Sequence, residues 1–141
     1  FNVKYRRVLD SLRDKVCDFY RIKVSDFKSN SRKYNLVHAR SVFSYVARNF
    51  SDIISPITPD QTYFNIGSYM NRHHASVINQ INKYETGLKM DSSFRNELSY
   101  FIKYSYSDEI ETEVMRRVNK LEVFNPIKFR NKNGRRYIAW S

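Results

Sequence analysis

Residues 66–81 read Ile-Gly-Ser-Tyr-Met-Asn-Arg-His-His-Ala-Ser-Val-Ile-Asn-Gln-Ile, with a polar corner between two apolar segments. Ile66 and Met70 stand four residues apart before a polar Asn-Arg-His-His corner, and Val77 and Ile81 repeat that spacing after it. Apolar residues at three- and four-residue steps are typical of helices that bury one face. The stretch therefore predicts two helices joined by a polar turn, which is a helix-turn-helix pattern.

The second helix of this pattern is predicted to begin near His73 and to turn Val77 and Ile81 inward. In helix-turn-helix proteins the first residues of the second helix reach base edges in the major groove of DNA. The pattern alone also fits two packed helices of an ordinary all-α core. If the pattern is a DNA-binding helix-turn-helix, the candidate DNA-binding residues of this corner are Arg72, His73, His74, Ala75, Ser76 and Asn79.

The composition favours one helical core. The 141 residues are 41% hydrophobic and 16% aromatic, and only three Gly and three Pro argue for long helices rather than many tight turns. The single cysteine, Cys17, lies in the apolar stripe of a predicted first helix and is expected to be a buried, inert thiol. Since no secretory segment and no apolar run of membrane-spanning length is found, we expect a cytoplasmic, nucleoid-associated protein.

The formal net charge of +11 is large for a chain of this length. Such an excess predicts a polyanionic partner, nucleic acid before an anionic membrane, because a membrane-bound helix needs an apolar face that is not committed to a core. Residues 123–141 hold five basic residues and no acidic one. Further candidate phosphate contacts are Lys28, Arg130, Lys132, Arg135 and Arg136.

Capping residues divide the chain into predicted helices. A first amphipathic helix covers about residues 4–21, and Asn35 is the expected N-cap of a central helix. Thr58 as N-cap, with Pro59 at the first helical position, predicts the start of the first helix of the motif. Gly87 is the expected end of the second helix.

Two further helices are predicted after that point, capped by Asp91 and by Ser107. Beyond them, alternation around Gly134 indicates either a small β-hairpin or a basic tail. The expected fold class is an all-α helical bundle with a helix-turn-helix, an extra C-terminal helix and this hairpin or tail. We expect residues 1–105 to form the helix-turn-helix domain and residues 106–141 to form an extension.

Three blocks of the chain resemble the C-terminal DNA-binding domain of the bacterial replication initiator DnaA. The first block, residues 16–27, reads Val-Cys-Asp-Phe-Tyr-Arg-Ile-Lys-Val-Ser-Asp-Phe, and the second, residues 38–48, reads His-Ala-Arg-Ser-Val-Phe-Ser-Tyr-Val-Ala-Arg. The third is Ile-Gly at residues 66–67 with Asn-Arg-His-His-Ala-Ser-Val at residues 71–77. The blocks follow the family's order at nearly its spacing, and the resemblance covers about residues 8–104.

The resemblance implies a six-helix fold that binds duplex DNA by sequence. It implies that the second helix of the motif enters the major groove and that the basic loop, residues 28–35, lies at the adjacent minor groove. Arg32 matches the loop arginine that enters the minor groove, and Lys33 stands beside it. Arg40 matches the central-helix arginine that supports contact with the DNA backbone.

The third block carries the family's signature residues. Arg72 matches an arginine suited to guanine or to phosphate, and His74 and Ser76 match the histidine and the second threonine of the signature. The chain departs from the signature where His73 replaces an aspartate and Ala75 replaces the first threonine. The resemblance therefore implies DNA binding but does not imply the family's usual recognition sequence.

Two further departures from the family concern the turn between the two helices of the motif and the ATPase. Met70 and Asn71 stand in place of paired glycines. The chain also has no glycine-rich phosphate loop of the Gly-x-x-x-x-Gly-Lys-Ser type, so the ATPase machinery of the family is absent from this sequence.

Patterns for metal binding and catalysis are weak. His38, His73 and His74 do not have the spacing of a zinc site with the distant Cys17. Acidic residues at 108–113 are explained by charge compensation at a helix N-terminus more simply than by a nuclease carboxylate pair. We expect no metal, no cofactor and no enzymatic activity.

The interpretation that these observations favour is sequence-specific binding of double-stranded DNA in replication initiation or transcription control, with a plasmid or a phage as one setting. One alternative is a non-specific nucleic-acid binder, including an RNA binder, that uses the basic ends. Another is a protein-interaction module in which the helix-turn-helix is scaffold and the acidic helix at residues 108–122 binds a protein partner.

Overall fold

The structure, a computed structural model, describes residues 3–55 and 61–121, with side chains from Tyr5 onward. This described part is built from seven helices and contains no strand, which confirms the all-α prediction. The hairpin or tail predicted at residues 123–141 lies outside it. The helices are α1 (Val3–Tyr20), α2 (Val24–Phe27), α3 (Tyr34–Ile54), α4 (Tyr63–Met70), α5 (His74–Met90), α6 (Ser92–Ser105) and α7 (Asp108–Asn119).

Helix α3 lies at the centre of the core. Its Val42 and Phe43 are fully buried, and α1, α4, α5 and α7 all pack against it. On α1, Leu9, Leu12 and Val16 are fully buried at three- and four-residue steps. Burying a side chain of this size stabilises a fold by roughly 1.5–3 kcal/mol, so tertiary packing rather than helix propensity holds the bundle together.

Helix α7 belongs to the same core. Val118 is buried, and the Arg117 guanidinium donates to the Asp52 carboxylate of α3 at 2.7 Å and to the Glu113 carboxylate at 3.3 Å. The hydrogen bond from Arg117 holds the pKa of Asp52 below its ordinary value. Glu113, part of the acidic charge to which one alternative assigns a protein partner, is therefore paired within the fold.

Two helix caps agree with the prediction from the sequence and one does not. Asp91 and Ser107 cap α6 and α7 with side-chain oxygens that accept backbone N–H groups, as predicted. These bonds satisfy donors that the helix itself cannot pair. Helix α3 begins at Tyr34, so Asn35, the predicted cap, lies inside its first turn. Lys33 occupies the cap position without a side-chain hydrogen bond.

Helix α4 starts later than predicted. It begins at Tyr63, and the Thr62 hydroxyl caps it by accepting a backbone N–H at 3.0 Å. Gln61, expected in the first turn, is buried and not helical, and its carbonyl accepts from Arg48 of α3 at 3.1 Å. That bond holds residue 61 against α3 and outside α4, so the predicted start of α4 at Pro59 is wrong. Residues 58–59 themselves lie outside the described residues.

Gly87 does not end α5, contrary to the prediction. The helix continues through it to Met90, and Asp91 follows as its C-cap. A Cβ at Gly87 would lie 2.5 Å from the ring of Phe94 on α6. The missing side chain permits a close approach of two helices, which is a different use of glycine from a helix end.

A hydrogen-bonded pair links α3 to α6. His38 Nε2 lies 3.0 Å from Glu97 Oε1, and the His38 ring packs against the rings of Tyr34, Tyr84 and Phe94. The hydrogen bond with His38 holds the pKa of Glu97 below its ordinary value of 4.5. A carboxyl whose pKa is lower in the folded protein stabilises the fold fully above its unfolded pKa, and that stabilisation is lost as pH falls through the folded value.

We expect Glu97→Gln to lower the melting temperature near neutral pH and to lose less stability than the wild type between about pH 5 and about pH 3, since only the wild type has this carboxylate to protonate. Circular dichroism melts over this range measure both effects. Glu109→Gln, at an exposed position in the first turn of α7, is the control and should change the dependence on pH much less. The same acid sensitivity in wild type and Glu97→Gln would contradict the role of the pair.

Candidate nucleic-acid interface

A turn of three residues, 71–73, joins α4 to α5. Asn71 has a left-handed φ of 57°, a conformation that Asn tolerates better than most residues other than glycine. Its amide donates to the Ser68 carbonyl at 3.3 Å, and the Arg72 amide donates to the Gly67 carbonyl at 2.7 Å. These bonds satisfy the last carbonyls of α4. Asn71, which stands where the DnaA family has glycine, thus keeps a backbone conformation that favours glycine.

Gly67 lets this turn fold back against α4. A Cβ at this position would lie 2.6 Å from the Arg72 carbonyl oxygen and 3.4 Å from both the His74 nitrogen and a Val77 methyl group. Nonbonded atoms do not pack at the shorter of these distances without displacement. Gly67 therefore sets how closely the two helices of the motif approach each other.

The first turn of α5 presents polar side chains to solvent. His73 is the N-cap, and its Nδ1 accepts from the Ala75 amide at 3.2 Å, which confirms the predicted helix start near His73. The two imidazole rings stack, with the centroids of His73 and His74 4.3 Å apart. Val77 and Ile81 are buried beneath them. The candidate residues exposed on this surface are His73, His74, Ala75, Ser76 and Asn79.

The basic loop lies beside this surface. Arg32 and Lys33 are both exposed, but they face different depressions. Lys33 lines one with Arg21 and Lys23, away from the helix-turn-helix. Arg32 lines a groove between the loop and α5, so the structure brings the candidate minor-groove arginine next to the candidate major-groove residues. The polar residues of this groove are Asn30, Arg32, Arg40, Asn71, Arg72, His73, Ser76 and Gln80.

Arg40 lies beneath the loop and is only 2% exposed. Its Nε donates to the Phe27 carbonyl and its Nη1 to the Ser31 carbonyl, both at 2.7 Å, and its Nη2 donates to the carbonyls of Asp26 and Ser29 at 3.0 Å. Burial lowers the pKa of Arg40. Its donors are directed at carbonyls of α2 and of the loop, which Arg40 holds from below. Support of a DNA-backbone contact by Arg40 stays a prediction.

Arg72 connects the helix-turn-helix to the same loop. Its Nη2 donates to the Ser29 carbonyl at 2.9 Å, and this is the carbonyl that Arg40 also contacts. The positive charge of Arg72 contributes, after burial, to the lowered pKa of Arg40. Its Nη1 donates to the Met70 carbonyl at 3.5 Å, so both terminal nitrogens of the half-buried Arg72 have a partner inside the protein. Through Ser29, the loop and the turn before α5 form one hydrogen-bonded unit.

Lys28 lies apart from the groove. Its amine is 3.9 Å from the centroid of the Tyr69 ring, with Arg6 and Ser68 nearby. Desolvation lowers the pKa of Lys28, and the charge of Arg13 lowers it further. A phosphate contact by Lys28 stays a prediction. The other candidate phosphate contacts, Arg130, Lys132, Arg135 and Arg136, lie outside the described residues.

Three polar groove residues, Asn30, Asn71 and Gln80, are not among the candidates selected from the sequence. Gln80 follows Ser76 by four positions, and residues four apart share a helix face, so spacing alone could have identified it. Asn30 lies in the basic loop, where nothing in its type or position distinguishes it from Ser29 or Ser31. Its place in the groove follows from how the loop is held.

Two other kinds of site were sought in the described part of the chain. Residues 3–55 and 61–121 hold no group of three or more His, Cys, Asp or Glu that could bind a metal ion. None of the helices described is both long enough and apolar enough to cross a lipid bilayer.

In this all-α bundle a tight polar turn joins two helices, and the first turn of the second helix is exposed beside a basic loop. This arrangement defines a helix-turn-helix DNA-binding domain. Over residues 9–83, more than half of its length, the chain matches the family described as the bacterial dnaA protein helix-turn-helix. The chain belongs to this family.

The curated relatives are described as chromosomal replication initiator protein DnaA. The chain is 29% identical over 87 residues to that of Caldanaerobacter subterraneus subsp. tengcongensis, with 62% of this chain and 18% of the relative covered. It is 33% identical over 93 residues to that of Wolbachia sp. subsp. Brugia malayi, with 65% and 18% covered. The chain thus spans less than a fifth of the length of these relatives. No solved structure matches it significantly.

Proposed function

We propose that this domain binds double-stranded DNA by sequence, with the start of α5 in the major groove and Arg32 in the adjacent minor groove. The observation that carries the proposal is the groove that places Arg32 beside Arg72, His73 and Ser76. The major groove admits an α-helix, and a narrow minor groove concentrates negative potential that favours a guanidinium. The shared Ser29 carbonyl holds the two reading elements at a fixed spacing.

We propose replication initiation as the setting, because the curated relatives are named as chromosomal replication initiators. In this proposal the domain acts by binding and performs no chemical step of its own. Transcription control, in a plasmid or a phage as well as on a chromosome, would use the same contacts. Genomic footprinting distinguishes these settings, because initiation places the sites at an origin and transcription control places them at promoters.

Binding should weaken steeply as salt is raised. Each phosphate contact by Lys or Arg releases counterions, so the logarithm of affinity falls linearly with the logarithm of salt concentration. Arg32→Ala should reduce the slope by about one. Lys103→Ala removes the same charge from an exposed position on α6 and should leave the slope unchanged. Fluorescence anisotropy titrations on a selected duplex measure both, and a flat salt response of the wild type would overturn the proposal.

A further inference from the structure

We infer that His73 is a specificity-determining residue that acts only as a hydrogen-bond donor, so that it favours guanine over cytosine at the base it faces in the major groove. The inference rests on the proposed function and adds the type of base contact that one side chain can make. It follows from the bond that caps α5, from the position of the ring and from the groups that bases expose.

The capping bond determines which ring nitrogen carries hydrogen. His73 Nδ1 accepts from the Ala75 amide at 3.2 Å. A ring nitrogen that accepts a hydrogen bond carries no proton, and a neutral imidazole then carries its N–H on Nε2. A histidine protonated on both nitrogens could not make this cap. As long as His73 caps α5, its free nitrogen is therefore a donor.

The ring is also held in place at the surface where bases would be read. It is exposed, it lines the groove with Arg72 and Ser76, and it stacks on the His74 ring with an interplanar angle of 30°. A side chain at the start of the second helix of this motif lies within reach of base edges. The cap and the stack together restrict the ring, so the direction of its Nε2 hydrogen is restricted too.

The bases differ in what they offer to such a donor. In the major groove guanine presents two acceptors, O6 and N7, whereas cytosine presents only the N4 amino donor. Adenine N7 and thymine O4 also accept a hydrogen bond, so a donor at this position excludes cytosine and most favours guanine, which alone presents two acceptors. An aspartate would cap the helix equally well, but its carboxylate only accepts and would favour the cytosine amino group.

Replacing His73 by other capping side chains changes the base contact and keeps the N-cap of α5. Asn can accept the backbone N–H through its oxygen and still donate from its amide nitrogen, so His73→Asn keeps a donor. Ser caps as well but is too short to extend as far as an imidazole, so His73→Ser removes the contact. All three replacements are good N-cap residues, and the variants should therefore fold.

The experiment is a binding-site selection from a randomised duplex library with the wild type, His73→Asp, His73→Asn and His73→Ser, each checked by a thermal melt. We expect the wild type and His73→Asn to select against cytosine at one position, where guanine is the most favoured base. His73→Asp should enrich cytosine at that position, and His73→Ser should lose preference there while the remaining positions keep theirs. Replacing that guanine by 7-deazaguanine, which lacks the N7 acceptor, should weaken wild-type binding roughly fivefold and leave His73→Ser unchanged.

The outcomes separate this inference from the proposed function. If the wild type enriches a site but His73→Asp and His73→Ser give the same profile at every position, the role of His73 is overturned and sequence-specific binding stands. If the wild type binds the library without enriching any site, the proposed function fails and the inference fails with it.

Discussion

Gly67→Ala should destabilise the domain and remove its sequence-selective binding, whereas Gly87→Ala should have a much smaller effect on both. The two positions are a matched pair, because each glycine lies inside a helix, where alanine is intrinsically favoured by about 1 kcal/mol. They differ in what the added methyl group meets. At Gly67 it meets the backbone oxygen of Arg72 at 2.6 Å, and at Gly87 it meets the ring of Phe94 at 2.5 Å.

The difference lies in what can move. The Phe94 ring ends a side chain that is only partly buried, so a rotation about its side-chain bonds can relieve the contact. The Arg72 carbonyl belongs to a turn whose backbone is fixed by the Asn71 and Arg72 amides. Overpacking against atoms that cannot yield typically costs about 1–3 kcal/mol, and the remaining way to relieve it is to push α5 away from α4. Bases read by that helix would then lose contacts worth roughly 1–3 kcal/mol each.

Urea denaturation measures the stability of both variants, and fluorescence anisotropy on the selected and on a scrambled duplex measures selectivity. We expect Gly67→Ala to bind the two duplexes equally even at temperatures where it is folded. Wild-type stability and wild-type selectivity in Gly67→Ala would show that the turn can accommodate a side chain, which would remove the geometric basis for placing α5 in the groove.

The features of the fold that depend on interactions between nearby residues could be predicted from the sequence. The start of α5 at His73 and the caps at Asp91 and Ser107 were predictable because a capping side chain bonds to amides two or three residues away. The buried stripes of α1 and α5 were predictable because helical spacing is also local. These two signals were sufficient to locate the helix-turn-helix.

The errors came from contacts between separate elements of the fold. Thr58 and Thr62 both have the side chain of an N-cap, and the choice of Thr62 depends on the Gln61 carbonyl, which is bonded to Arg48 of α3. Gly87 was predicted to be a helix end because glycine is common at that place, whereas its role in the structure depends on the ring of Phe94 on α6. Neither contact leaves a signal in the neighbouring sequence.

The candidate site was also predictable only in part. The exposed residues of the first turn of α5 follow from helical periodicity, and the loop could be recognised by its charge. The burial of Arg40 could not be predicted, because a charged residue on a helix is ordinarily solvated and only the folded loop supplies the carbonyls that it bonds. The resemblance to DnaA marked Arg40 as a residue of the interface, and the structure shows the contacts that it makes.

Arg40→Met should therefore collapse the basic loop and reduce DNA affinity more than any exposed-charge substitution. Methionine fills a similar volume but leaves the carbonyls of Phe27 and Ser31 without the donor that Arg40 supplies. The carbonyls of Asp26 and Ser29 keep the Ser29 amide and the Arg72 guanidinium as donors. Each unpaired buried carbonyl costs about 1–3 kcal/mol, and because the loop can refold toward water we expect a net loss of about 2–4 kcal/mol in stability. Arg32 would then lose its fixed position beside α5, and preference for a narrow minor groove should disappear with it.

Arg40→Lys distinguishes this positioning role from a simple contribution of charge. A lysine keeps the charge, but a single amine cannot reproduce the planar fork that spans four carbonyls, so it should not restore affinity. Arg48→Met is the matched control, because Arg48 lies on the same helix and donates to one backbone carbonyl, that of Gln61. It should lower stability modestly and leave the base preferences unchanged.

Site selection and urea denaturation on Arg40→Met, Arg40→Lys and Arg48→Met decide between the two roles. If Arg40→Lys binds as tightly as the wild type, charge at this position is sufficient and Arg40 acts on phosphate. If Arg40→Met and Arg40→Lys both lose the preference for A·T-rich flanks while the bases facing α5 are still selected, the loop has been uncoupled from the helix. We expect that second result, because the turn before α5 is held by the backbone hydrogen bonds of Asn71 and Arg72 to α4, and these do not involve Arg40 or the loop.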